Sequence, residues 1–328
     1  MNLVVPIFVL TLVLLSLFTY SFVDINLSYL KGLYTGLYLN QRLLLSVVFL
    51  GLISILFGCF YLFLNNFEAL KNRLNKTILF IVLATIFAYP AALTFDIFNY
   101  ITTAKVTFFY QENPYIVYPI EFSDDPYLAF TRAANKTALY GPIWILSTGI
   151  PHFLGFGSFV LTLFSFKAFI ALFYIGTIWI INKLDKNAVL FFALNPLVII
   201  ESLVSSHNDI VMIFFALLSL YLFSQKKYIS SLLSILGSVF IKPATLFLTP
   251  VFLGMSKDKI IGKKINQERA FTFSAVFMFI IFLLSPLREE LYPWYAIWFI
   301  AFTSFLHRNK FLQNLVLVFS LGLMLRYI

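Results

Sequence analysis

The chain has 328 residues, of which 61% are hydrophobic and only 11% are charged, and its mean hydropathy is +0.93. A water-soluble domain carries about 25% charged residues, so the composition excludes a soluble globular protein and indicates an integral membrane protein. The net charge of +9 lies mainly in short loops between apolar runs, which argues against a nucleic-acid partner.

Continuous apolar runs predict helical spans, because the strands of a membrane barrel alternate apolar and polar residues. A helical span needs about 20 apolar residues, and residues 3–22, 43–64 and 77–93 are the first candidates. We interpret 3–22 as a retained span rather than a signal peptide, since no basic residue precedes it and no small-residue cleavage site follows it.

Residues 95–142 are the longest stretch that is too polar to cross a bilayer, and they contain five of the fourteen carboxylates. We expect this stretch to form a catalytic loop at one membrane face. Residues 143–154 are too short to cross alone and contain Pro151, so they predict a re-entrant or interfacial segment. Residues 158–181 predict a full span that contains Lys167.

Short apolar runs separated by polar turns fill most of the remaining chain: 188–203, 210–223, 229–241, 244–255, 270–284, 294–306 and 311–325. The fold class is therefore predicted to be all-α, a polytopic transmembrane bundle of about eleven spans. We expect a single membrane domain over 1–328, with N-terminal spans in 1–94, the loop in 95–142 and the other spans in 143–328.

The basic residues predict the orientation, because cytoplasmic loops are enriched in Lys and Arg. Fourteen of the 23 lie in five loops that we assign to the cytoplasm: 65–76, 182–187, 225–228, 256–269 and 307–310. This assignment requires a break in the chain at Lys242-Pro243. It places the loop 95–142, the turn 205–209, Lys242 and 288–294 at the extracytoplasmic face of the cell membrane.

Ionisable residues at membrane depth are functional candidates. Asp96, at the start of the loop, is a candidate general base whose pKa would be raised by desolvation. It could equally be the N-cap of a helix that follows it. His207, Asn208 and Asp209 lie near Glu201 in an apolar neighbourhood and are candidate site residues, although Asn or Asp before an apolar helix is also a common cap.

Lys242 precedes a proline within an apolar region, and it is a candidate for binding phosphate as a point charge. It could instead pair with Asp209 or reach the membrane surface. Arg288 is a second phosphate candidate. The turns at 113–115, 140–142 and 293–295 combine proline with aromatic residues, which predicts either anchoring in the headgroup layer or stacking against a sugar.

The order of these motifs resembles that of the GT-C glycosyltransferases that use polyprenyl-phosphate sugars, and the bacterial and archaeal membrane mannosyltransferases in particular. The resemblance runs from Phe95 to Trp298. The matching pieces are Asp96, Asn113-Pro114-Tyr115, Tyr140-Gly141-Pro142, Asn195-Pro196-Leu197 with Glu201, His207-Asn208-Asp209, Lys242-Pro243 and Tyr292-Pro293-Trp294-Tyr295.

The resemblance implies an enzyme that transfers a hexose, mannose above all, from a polyprenyl-phosphate donor to a glycan or glycolipid acceptor, with inversion. Asp96 would be the general base, and Lys242, Arg288 and His207 would hold the donor phosphate. The residues implied for sugar or acceptor binding are Asn99, Asn113, Tyr115, Tyr140, Asn208, Asp209, Trp294 and Tyr295. The sequence requires no cofactor, although a divalent cation could bind Asp96 and Asp209.

The main alternative is a secondary transporter with Lys242, Glu201 and Asp209 in the path of a substrate or ion, since broken helices and buried charges are common in transporters. No two-fold repeat is evident, however, and the loop 95–142 has no counterpart in the second half of the chain. A non-catalytic assembly subunit is a further alternative, but such a subunit has no need for charged groups at membrane depth.

Overall fold

A computed structural model describes residues 1–24, 26–27, 32, 34–263, 266–288 and 290–327, and these residues form helices and turns without a strand. The α-helices, numbered in chain order, are α1 (Val4–Phe18), α2 (Arg42–Asn65), α3 (Phe67–Lys71), α4 (Leu74–Thr85), α5 (Asp96–Phe108), α6 (Pro142–Ser147), α7 (Gly149–Leu154), α8 (Phe159–Leu184), α9 (Val189–Ala193), α10 (Pro196–Ile199), α11 (Asp209–Ser224), α12 (Tyr228–Val239), α13 (Thr249–Ile260), α14 (Gln267–Leu284), α15 (Ile297–Thr303) and α16 (Lys310–Met324).

Within the described residues, four helices are long and apolar enough to cross a membrane: Val4–Phe22, Arg42–Asn65, Phe159–Leu184 and Gln267–Leu287. The helices Lys186–Ala193 and Pro196–Val204 meet at 69° and add a fifth span if they cross together. The shorter apolar helices are Leu74–Thr85, Asp209–Ser224, Tyr228–Val239 and Pro293–Leu306. The all-α prediction is confirmed for this part of the chain, and the protein is a membrane protein. The count of about eleven spans stays a prediction.

The helix boundaries follow local chemistry and correct one expectation. The third predicted span is shorter than expected, because α4 ends at Thr85 and the chain turns before Tyr89-Pro90. The Tyr89 N–H donates to the Thr19 hydroxyl at 2.8 Å instead of to a helix carbonyl. The break expected at Lys242-Pro243 is present, since α12 ends at Val239 and Lys242 is extended before a 3-10 helix, Pro243–Leu248.

The bundle exposes large apolar side chains on its outside, and it buries a cluster of polar side chains within a largely apolar core. Large apolar side chains on the outer faces of α1, α2, α8 and α12 are exposed, among them Leu17, Leu43, Leu172 and Ile229. Such extensive exposed apolar surface fits contact with lipid. Helix α11 is the central element, packing against α8, α12 and α15, and the polar residues that precede it are fully buried.

A close backbone contact joins the turn before α6 to the end of α12. The N–H of Gly141 donates to the Ile241 carbonyl, and the N–H of Ile143 donates to the Phe240 carbonyl, both at 3.1 Å. A Cβ on Gly141 would lie 2.1 Å from the Phe240 carbonyl oxygen, so a residue larger than glycine does not fit without a backbone shift. This contact fixes the chain that enters Lys242.

Replacing Gly141 with alanine is therefore expected to lower stability by about 1–3 kcal/mol, because backbone rather than a flexible side chain opposes the new methyl group. Thermal unfolding of the detergent-solubilised protein measures the effect. Gly58→Ala is the matched control, since nothing lies within 4 Å of a Cβ built at that position in α2. Equal unfolding temperatures for the two variants would contradict the prediction.

Candidate active site

The centre of the site is the turn that joins a broken helix to α11. Asn195 accepts a hydrogen bond from the Leu197 N–H at 3.0 Å and starts α10, which continues as a π-helix, Ile200–Val204. Ser206 then takes a positive φ of 58° and reverses the chain into α11. This reversal places Glu201, His207 and the residues after it at the middle of the bundle, where none of them is exposed.

Lys167 supports this turn from α8. It is 3% exposed, and its ammonium group donates hydrogen bonds to the carbonyl oxygens of Leu203 and Val204. These are the last carbonyls of the π-helix, where a cation is favourable because the helix dipole is negative at that end. The lysine that the sequence placed inside a span therefore stabilises the segment that leads into the site.

The imidazole of His207 lies between two carboxylates. Its Nδ1 is 3.5 Å from Oδ2 of Asp96, at the start of α5, and its Nε2 is 3.3 Å from Oε2 of Glu201. The Asp96 side chain is 28% exposed, whereas those of His207 and Glu201 are fully buried. Asp96 is thus the carboxylate of this cluster that a substrate can reach.

The position of Asp96 corrects two details of the sequence interpretation. It is the first residue of α5 rather than its N-cap, and the helix start at Phe95 has no side-chain cap. Burial raises the pKa of Asp96, but the neighbouring His207 and the charge of Lys242 outweigh it and hold the pKa below its ordinary value. The expected rise in pKa is therefore wrong, and the group is a carboxylate at neutral pH.

A second charge pair lies one residue beyond His207. Oδ2 of Asp209 accepts a hydrogen bond from the Lys242 ammonium at 2.7 Å, and Oδ1 accepts one from the Trp298 indole N–H at 2.6 Å. Asp209 is fully buried, while the Lys242 side chain is 16% exposed. The pairing of Lys242 with Asp209, which the sequence offered as an alternative to phosphate binding, is present. The lysine is still partly exposed, so a ligand can also reach it.

Aromatic rings cover both clusters. The His207 ring stacks on Trp294 with centroids 4.0 Å apart, and Trp294 stacks in turn on Tyr292 at 4.4 Å. Tyr295 stacks on Trp298 at 4.3 Å and lies under the Lys242 ammonium at 5.3 Å. The turn at 293–295 is therefore part of the site, so its aromatic residues do more than anchor the chain in the headgroup layer.

Two predicted residues reach the site through α5 and the turn before α6. Asn99 lies near enough to Asp96 to help lower its pKa, and its side-chain oxygen accepts a hydrogen bond from the Thr131 hydroxyl at 2.7 Å. The Tyr140 ring packs edge-on against Tyr100, 4.9 Å away. The Tyr115 hydroxyl donates to the Tyr140 carbonyl at 2.8 Å, so Tyr115 holds this turn in place.

Asn113 and Arg288 have different surroundings. The Asn113 side chain accepts the Tyr115 N–H at 3.0 Å within its own exposed turn, which is the geometry of a local turn residue. Arg288 is exposed just beyond the helix Gln267–Leu287.

Among the described residues, no group of three or more His, Cys, Asp or Glu side chains is arranged to hold a metal ion. A cation bound by Asp96 and Asp209 stays a prediction.

Residues 11–257 match the family model described as alpha-(1->6)-mannopyranosyltransferase, N-terminal domain. The chain belongs to this family. The family comprises GT-C-type membrane mannosyltransferases, so the protein is an enzyme, a membrane glycosyltransferase. The resemblance stated from the motifs is confirmed. No curated protein and no solved structure matches the chain.

Three contributors to the candidate site carry no clear sequence signal. The Tyr100 hydroxyl donates a hydrogen bond to the Asn208 side-chain oxygen at 3.3 Å. The same hydroxyl accepts one from the Asn208 backbone N–H, also at 3.3 Å. The Tyr327 hydroxyl donates to Glu201 at 3.0 Å from the C-terminal end of the chain. Trp298, four residues after Trp294, has the weak signal of sharing a helix face with it.

The buried pair Asp209–Lys242 gives a testable expectation for stability. Lys242→Met leaves a buried carboxylate without its cation, which is expected to cost about 3–5 kcal/mol. The double variant Asp209→Asn with Lys242→Met is expected to unfold at a higher temperature than Lys242→Met alone, because no uncompensated charge remains. Thermal unfolding in detergent micelles measures both.

The exposed pair Lys71–Glu68, 3.7 Å apart, provides the matched control. Lys71→Met is expected to change stability by less than about 1 kcal/mol, since exposed ion pairs contribute little. The expectation fails if Lys242→Met unfolds at the same temperature as Lys71→Met.

Proposed function

We propose that this membrane glycosyltransferase transfers mannose from a polyprenyl-phosphate donor to a hydroxyl group of a glycan or glycolipid, at the extracytoplasmic face of the cell membrane. Family membership supports mannose as the sugar and favours an α-(1→6) linkage in the product. It also favours the transferase over the transporter. The asymmetric distribution of Lys and Arg supports the orientation.

The observation that carries the proposal is the pair of polar groups that reach out of an otherwise buried cluster. Asp96 and Lys242 are 28% and 16% exposed, whereas His207, Glu201 and Asp209 are not exposed at all. The transfer of a sugar from a phosphate-linked donor needs two such groups, an accessible carboxylate and an accessible ammonium. The carboxylate takes a proton from the acceptor, and the cation offsets charge on the leaving phosphate.

In the proposed reaction, Asp96 accepts the proton of the acceptor hydroxyl as its oxygen bonds to the anomeric carbon. The bond from that carbon to the phosphate oxygen breaks, and its electron pair leaves with the lipid phosphate. Direct displacement inverts the anomeric centre, so an α-linked product requires a β-linked donor. The lowered pKa of Asp96 keeps it ionised at neutral pH, and transfer is expected to fall only in acid, as this carboxylate becomes protonated.

Lys242 holds the donor phosphate in this proposal, and His207 and Arg288 are the further candidates for that role. Lys242 can do so while its ammonium stays hydrogen-bonded to Asp209, because an ammonium group has three donors. Asn99, Tyr140, Asn208, Asp209, Trp294 and Tyr295 shape the sugar and acceptor positions. Tyr115 contributes by fixing Tyr140, and Asn113 contributes by forming the turn that carries Tyr115.

Transfer from a radiolabelled polyprenyl-phosphate mannose in proteoliposomes tests the proposal. Asp96→Asn is expected to lower the rate by about 1,000-fold, within the range for loss of a general base, while the protein still inserts. Glu112→Gln is the matched control, because Glu112 is an exposed carboxylate in the segment that follows α5.

Equal rates of transfer by the wild type and Asp96→Asn would show that Asp96 is not the general base, although the protein would still be a transferase that uses this donor. A wild type that transfers no sugar from polyprenyl-phosphate donors would remove the proposed donor class. Vesicle uptake of a solute that is lost in Lys242→Ala would instead favour a transporter.

A further inference from the structure

An open cavity of about 440 Å³ lies between α13 and α14, beside the short connection 261–266 that joins the two helices. Helix α14 belongs to a candidate membrane span, Gln267–Leu287. Trp294 follows the far end of this span and stacks on His207 in the candidate site. The cavity therefore lies at the opposite end of the span from the candidate site, and the proposed reaction does not use it.

One part of the cavity wall is basic. Lys257, Lys263 and Arg269 line it, together with the acidic Asp258 and the amide of Asn266. The three basic side chains are exposed, and none of them forms an ion pair within the described part of the chain. The Asn266 side chain is occupied as the N-cap of α14, where it accepts the Arg269 N–H at 3.0 Å. The wall thus carries three cations and one acid, and its excess positive charge is not neutralised by a protein partner.

The rest of the wall is apolar and continues away from the connection along both helices. It includes Val251, Gly254 and Met255 of α13, and Ala270, Phe273 and Phe277 of α14. Positions three or four residues apart share a helix face, so each helix presents one apolar face to the cavity. From Arg269 to Phe277 the helix rises about 12 Å, which approaches the hydrocarbon depth of one leaflet, about 15 Å.

The boundary between the two parts lies at Arg269. Its guanidinium group is 5.4 Å from the centroid of the Phe273 ring, one turn farther along α14. A guanidinium group matches the geometry of a phosphate, and the ring below it begins the apolar wall. A ligand that fills the whole cavity therefore needs an anionic group joined directly to a hydrocarbon chain.

An anionic phospholipid has this chemistry, whereas the simpler ligands match only half of the wall. A free phosphate ion would leave the apolar faces of α13 and α14 uncovered. A zwitterionic lipid carries no net charge to offset the three cations. Basic pockets between membrane helices are known sites for anionic headgroups, and here the pocket continues into an apolar groove that can take an acyl chain.

We propose that this cavity binds one anionic phospholipid, whose phosphate is held by Lys257, Lys263 and Arg269 and whose acyl chain lies between α13 and α14. Gly254 leaves room for the chain, because nothing lies within 4 Å of a Cβ built at that position. The lipid contacts both helices and so stabilises the folded protein, since a ligand that binds only the folded state raises the free energy of unfolding.

Lipid titration of the full chain in micelles of an uncharged maltoside detergent tests the site. Dioctanoyl-phosphatidylglycerol is the anionic probe. Dioctanoyl-phosphatidylcholine is the control for charge, and inorganic phosphate is the control for a free anion. We expect native mass spectrometry to show one bound phosphatidylglycerol per chain, and thermal unfolding to shift to a higher temperature. Neither effect is expected with phosphatidylcholine or inorganic phosphate at the same concentration.

A double variant tests the basic part of the wall. Lys257→Gln with Arg269→Gln is expected to weaken phosphatidylglycerol binding about 25-fold, or about five-fold for each cation removed. Lys186→Gln with Lys227→Gln is the matched control, because it removes two exposed cations that do not line the cavity. This control is expected to keep the wild-type affinity.

A single variant tests the apolar part. Gly254→Leu places a side chain where the acyl chain would lie, and it is expected to weaken binding by about 10-fold or more, the equivalent of two buried methylene groups. Gly58→Leu is the matched control, since a Cβ at Gly58 in α2 also has nothing within 4 Å and Gly58 does not line the cavity. Thermal unfolding without lipid checks that each variant is folded.

Equal binding of phosphatidylcholine and phosphatidylglycerol would overturn the proposal, because the cations would then play no part. An equal upward shift with inorganic phosphate would overturn it in favour of a free-anion site. A loss of affinity in Lys186→Gln with Lys227→Gln as large as in the cavity variant would show that only the charge of the protein matters. If the cavity double variant does not fold, wild-type affinity in Gly254→Leu overturns the proposal by itself.

Discussion

The fully buried carboxylate of Asp209 is the constraint around which the site is built. A charge in a bundle whose surroundings are side-chain hydrocarbon and lipid needs partners, and Asp209 has one for each oxygen, Lys242 and Trp298. These partners come from an extended segment before a 3-10 helix and from α15. One charge pair and one indole hydrogen bond therefore fix three parts of the chain relative to one another.

Irregular backbone makes this arrangement possible. The helix break at Asn195-Pro196, the π-helix, and the positive φ of Ser206 turn the chain so that successive residues point to different partners. Such irregular backbone is tolerated at membrane depth where protein buries it, and here α8 supports it through Lys167.

The exposed fraction separates the roles of the polar residues. Asp96 and Lys242 are partly exposed, while His207, Glu201 and Asp209 are fully buried, and the stacked rings of Trp294 and Tyr292 cover His207. In the proposed mechanism, the outward groups meet the substrates and the sealed groups control charge. This division keeps most of the charge of the candidate site buried in protein while two charged groups stay accessible to substrates.

Composition and local motifs determined the all-α membrane fold, the break at Lys242-Pro243 and the choice of Asp96, His207 and Lys242, because hydropathy, proline and rare charges act locally. The pairings were decided only by the tertiary structure. Trp298 bonds to Asp209, which is 89 positions away in the sequence, and Tyr327 bonds to Glu201, which is 126 positions away. No local pattern encodes such contacts. The direction of the Asp96 pKa also depended on which neighbours the fold supplied, since burial alone predicted the opposite sign.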